Sequence, residues 1–340
     1  MKIILLILAL IISIGYSKSL SNKDNTNKTF GGKERDEADS IIQIKDGGFI
    51  IAGGTESFGN GGYDAYLIKI DKKGNKIWEK TFGGKYNDIL FSIVNSGDGG
   101  FIVAGGTESF GNRDYDAYLI KLDKNGNKIW EKTFGGKDND MAFSIVNSSD
   151  GGFIVVGGTF SFGKGEEDLY LIKIDKNGNK IWEKTFGGKE DEMALSIVKS
   201  LDGGFIVAGY TKSFGHGKKD TYLIKIDKNG NKIWEKTFGG KDLDWANKII
   251  KSKGGGLIVA GETWSFGHGK GDAYLIKIDK NGNKIWQKTF GGKKSDEAIA
   301  ISQIADSKYI VIGYTKSFGN GKSNVYIINT EKYGNNKFHR

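Results

Sequence analysis

The chain has 340 residues, a formal net charge of +9 and no cysteine. Without cysteine it has no disulfides, no thiolate-ligated metal and no cysteine-linked lipoprotein anchor. The positive charge is carried by lysine, arginine occurring only at Arg35, Arg113 and Arg340. Most of the lysines recur at fixed places in a repeat, so no nucleic-acid partner is expected despite the basic balance.

In chain order, residues 1–19 open with Met1-Lys2, continue as an apolar run from Ile3 to Ile12 and end in small residues up to Ser19. This predicts a secretory signal peptide cleaved after Ser19, and with it a secreted or periplasmic protein. The run is too short to cross a bilayer comfortably, which disfavours the alternative of an uncleaved anchor. Residues 20–28 are polar and read as a linker. From Thr29 onward the chain repeats: Phe30, Phe82, Phe134, Phe186, Phe238 and Phe290 are spaced 52 residues apart, as are Trp78, Trp130, Trp182, Trp234 and Trp286. A fixed period of this size is the mark of a repeat architecture.

Within the first copy, strands are expected at residues 40–44, 49–55, 64–71 and 76–82. Turn signals at Asp46-Gly47-Gly48 and Lys73-Gly74-Asn75 separate them. The two middle runs are apolar on both faces, as a sheet covered on both sides requires. Six such units predict an all-β fold, a six-bladed β-propeller over residues 29–338 with four antiparallel strands per blade. Phe338 stands at the tryptophan position of a sixth copy that lacks its own Thr-Phe-Gly-Gly, whereas Thr29-Phe30-Gly31-Gly32 precedes the first strand. The expectation is a ring closed by an N-terminal strand that completes the last blade, with an open solenoid as the alternative.

Gly53-Gly54 followed by Tyr66 and Trp78 resembles the kelch pattern. The Asp71, Gly74, Trp78 stretch is similar to repeats of PQQ-type propellers. The whole unit is similar to the Asp-Gly-Gly-Phe-Ile-Val-Ala-Gly repeats of bacterial secreted propeller proteins. These resemblances imply the fold and leave the activity open. The glycine pair departs from the kelch pattern at Tyr210, Glu262 and Tyr314.

Alternating strand directions place the Asp-Gly-Gly and Lys-Asn-Gly-Asn turns on one face and the longer loops on the other, where binding residues are expected. Two acidic sets recur there: Asp36, Asp88, Asp140, Glu192, Asp244 and Asp296, then Asp64, Asp116, Asp168, Asp220 and Asp272. Carboxylates present in every repeat are read as ties for their own loops rather than as a cation ring. The Asp175-Lys-Asn-Gly-Asn179 turn lacks the glycine and glutamate positions of a calcium loop. No metal or other cofactor is expected.

Residues that break the repeat are better guides. Trp245 and Trp264 replace non-tryptophan residues of the other copies, and Tyr210, His216 and His268 are expected near them. Aromatic rings edged by polar groups suit a sugar face or a protein hot spot. Packing between loops would also explain the two tryptophans. Three classes follow: a non-enzymatic binding propeller with a protein or carbohydrate ligand on the long-loop face, a glycan-active or lectin-like module, and a cell-envelope scaffold.

Overall fold

The computed structural model describes residues 28–320 and 322–330. The expected signal peptide, the linker up to residue 27 and Phe338 lie outside them. In the first copy four strands form a meander, β1 (Asp36–Gln43), β2 (Phe49–Thr55), β3 (Asp64–Ile70) and β4 (Lys76–Phe82), each antiparallel to its neighbour. The plan recurs as blade 2 (residues 88–134), blade 3 (140–186), blade 4 (192–238), blade 5 (244–290) and three strands of blade 6 (296–330). The described residues form a six-bladed, all-β propeller.

Turn chemistry sets each hairpin. In blade 3 the main-chain N–H groups of Asn177 and Asn179 both donate to Asp175 Oδ1 at 2.8 Å, and Gly178 takes a φ of 82° that favours glycine. That glycine has a second reason to lack a side chain. A Cβ on Gly178 would lie 3.2 Å from the Trp130 ring of blade 2. The tryptophans Trp78, Trp130, Trp182 and Trp234 thus rest on Gly126, Gly178, Gly230 and Gly282, each in the turn of the next blade.

The first strand starts four residues earlier than the hydrophobic pattern suggests, at Asp36 rather than Ser40. A bulge between Ala38 and Ser40 leaves Asp39 without a partner on β2 and interrupts the alternation. First strands of successive blades touch: Asn147 Nδ2 donates to Asn95 O at 3.0 Å and Asn247 Nδ2 to Ala298 O at 2.9 Å. They are therefore the innermost strands, around the channel.

The expectation of burial on both faces holds. Every residue of Phe101–Thr107 and Asp116–Leu122 is buried. At the first junction Ala65 and Leu67 of blade 1 meet Leu90, Ile93 and Val103 of blade 2, and equivalent clusters fill the junctions up to blades 5 and 6.

The seam between blades 6 and 1 differs. Val325 and Ile327 are 64% and 62% exposed, whereas their counterparts Ala273 and Leu275 are fully buried. A cavity of about 110 Å³ opens beside Phe30, Ala38 and Ile51. Blade 6 nevertheless comes near blade 1: burial and then the charges of Glu297, Glu37 and Asp39 raise the pKa of the Tyr314 hydroxyl. The expected closing strand falls mostly outside the described residues: among them blade 6 has three strands, and residues 28–32 form none. They do sit where an outer strand would. Lys28 Nζ bonds Asn75 Oδ1 at 2.5 Å, as Lys80 bonds Asn127 and Lys184 bonds Asn231.

Candidate binding site at the channel mouth

The repeated acids are loop ties. Asp36 accepts from Gly32 N at 2.8 Å and Ser57 Oγ at 2.9 Å, and also from Thr55 Oγ1. Asp64 of the second set accepts from Gly61 N at 3.0 Å. Both carboxylates spend their lone pairs on nearby donors, which holds the long loops rigid above the sheets.

The non-repeating side chains meet where the inner strands begin. Lys219 Nζ lies 3.5 Å from the centroid of Tyr210 and 5.8 Å from that of Trp245, a cation held between two rings of adjacent blades. Burial lowers its pKa, with the charge of Lys212 acting in the same direction. Tyr210 Oη donates to Glu167 Oε2 at 3.2 Å. Burial holds the Glu167 carboxyl up at about 7.

Trp245 Nε1 donates to Glu297 Oε1 at 3.3 Å, an oxygen shared with Asn247 Nδ2 at 2.8 Å. Trp264 is 39% exposed and donates to Glu262 Oε1 at 2.9 Å. Ser295 Oγ donates to the same oxygen at 3.1 Å. Burial, together with the charge of Glu297, pushes Glu262 up to about 8. Gly271 makes room for this pair, because a Cβ there would lie 2.0 Å from Glu262 Oε1 and 2.7 Å from Trp264 Nε1.

Of the five residues singled out from sequence, Tyr210 and Trp245 share Lys219, and Trp264 joins them through Glu262 and Glu297. His216 and His268 stand on the long loops of blades 4 and 5. Their main-chain N–H groups bond Asp220 Oδ2 at 3.0 Å and Asp272 Oδ2 at 3.1 Å. Glu167, Lys219, Glu262 and Glu297 were missed. The signal was present, since Tyr63, Tyr115, Glu167, Lys219, Gly271 and Ser323 show that this loop position varies in nearly every copy.

Fold and site together define a repeat propeller whose sequence individuality is concentrated on its long-loop face. Residues 37–246 match the family described as outer membrane protein assembly factor BamB, and the chain belongs to that family. It is also similar to the regulatory protein FlaEY of Caulobacter vibrioides, with 24% identity over 223 residues, 55% of this chain and 23% of the relative. The chain therefore spans about a quarter of that relative's length. A crystal structure of puromycin hydrolase is similar at 12% identity and a TM-score of 0.52, covering 86% of this chain and 44% of that one. That likeness concerns the fold alone.

Proposed function

We propose that this protein is a non-enzymatic binding propeller that holds a protein or glycan ligand on its long-loop face. The observation that carries the reading is the continuous run from Tyr210 through Lys219 and Trp245 to Trp264. Tyr210, repeated only by Tyr314, converges there with Lys219, Trp245 and Trp264, each found in a single copy, while the recurring residues serve the scaffold. Large rings with polar edges give contact area and directional bonds at low entropic cost. The family's description as an assembly factor agrees with a role exercised through binding. Export to the periplasm or beyond follows from the amino-terminal pattern, and a mature chain beginning after Ser19 in the exported fraction is the expected mass-spectrometric result.

The test is a double substitution, Trp245→Ala with Trp264→Ala. The variant should keep the far-ultraviolet signature of the parent and lose retention of a partner captured by the parent on glycan arrays or in envelope pull-downs. Unchanged retention would remove the reading. A second reading, a glycan-active module, draws on the Glu262 carboxyl, which burial pushes up to about 8, beside the exposed Trp264, an arrangement suited to a general acid. It requires that Glu262→Gln abolish turnover of a glycan substrate while leaving its binding intact.

A further inference from the structure

The inner strands line the channel through two positions per blade that the bulge turns toward the axis. In blades 2–4 these are Ile89 and Phe91, Met141 and Phe143, and Met193 and Leu195. Phe91 and Phe143 touch, their centroids 5.2 Å apart. In blades 5, 6 and 1 the same positions hold Trp245 and Asn247, Glu297 and Ile299, and Glu37 and Asp39. One wall is apolar and the facing wall is rich in acids, within a chain that is basic overall.

Asp39 is the informative member. It is 3% exposed, and its Oδ2 has no hydrogen-bond partner among the described residues. Arg35, the cation that acts on it, is engaged by Glu37 through Nε at 2.8 Å. Glu37 also accepts from Tyr63 Oη at 3.0 Å. An enclosed carboxyl oxygen without a donor is costly unless something else completes it.

We propose that the channel takes a polypeptide segment carrying a lysine or arginine beside apolar residues. The cation bonds Asp39, and the apolar side chains lie on Phe91, Phe143 and Leu195. This rests on the reading of the long-loop mouth as a binding surface and adds the chemistry of the partner. The lining selects against acidic segments, because Asp39, Glu37 and Glu297 can each accept from a cation and offer an added carboxylate no partner.

The probe is a fluorescently labelled peptide of alternating lysine and leucine, titrated with the full chain and followed by anisotropy. Saturable binding is expected, with loss of about tenfold or more in affinity for Asp39→Asn, a substitution that keeps the shape of the side chain. A serine-for-leucine peptide should weaken comparably, and a glutamate-for-lysine peptide should not bind. Equal binding of the serine peptide, or full displacement by spermidine alone, would overturn the apolar half of the proposal. Unchanged affinity in Asp39→Asn would overturn the seat of the cation. If the peptide fails while the partner sensitive to Trp245→Ala and Trp264→Ala is still retained, the channel proposal falls and the binding face stands. Failure of both removes the reading on which it rests.

Discussion

Lys173 lies near the end of a third strand, 2% exposed, with its Nζ 2.7 Å from Asp150 of an Asp-Gly-Gly turn. Lys121 and Asp98 repeat the pair at 2.8 Å. A lysine inside an apolar run is therefore a tie between strand and turn and not a surface charge. Asp150→Ala leaves a buried ammonium unpaired and should cost about 1–3 kcal/mol in chemical denaturation, the lower end of the range reflecting the half-exposed aspartate. Acid groups at the mouth behave in the opposite sense to the usual carboxylate. Asp39 and Glu262 are held up at about 8 and Glu167 at about 7, mainly by burial. Their protonated forms favour the folded state. That stability is complete below the ordinary carboxylate range and is lost as pH rises through 7 to 8. Unfolding free energy should fall from the ordinary carboxylate range up to about pH 8, and Glu262→Gln should flatten the slope.

At the scale of the element, the hairpins were legible because their turn residues are local. Asp175 needs only Asn177 and Asn179 to close the turn, and the Asn-Gly spacing announces it. Asp175→Ala removes two main-chain bonds and the 2.9 Å bond from Asn179 Nδ2, all solvent-exposed. A loss of about 1 kcal/mol is expected in a urea melt. The start of the inner strand was not legible, since the bulge at Asp39 abolishes the period-two signal. That the Phe58 ring would lie 5.8 Å from Tyr66, a pairing repeated in every blade, was likewise beyond any local pattern.

For the molecule as a whole, the junctions decide stability. Five of them are filled by equivalent clusters, and the seam between blades 6 and 1 is splayed toward the rim. Two substitutions at equivalent positions should therefore behave differently. Leu275→Ala empties a closed junction and should cost about 2–5 kcal/mol. Ile327→Ala, on the exposed side of the third strand of blade 6, should cost less than about 1 kcal/mol. Equal losses in denaturant melts would mean that the seam packs in solution like the others.

By itself the sequence determined the period, the number of blades, the hairpin turns and the side chains that depart from the repeat, because each depends on residues close in the chain or on strict recurrence. It also marked Tyr210, Trp245 and Trp264. Only the tertiary structure decided that Lys219 joins two rings from different blades, that Glu262 and Glu297 link two tryptophans, and that the channel has an apolar wall facing an acidic one. Those relations arise where side chains from different strands and blades are brought together across a junction or around an axis, and no spacing along the chain records which of them will touch.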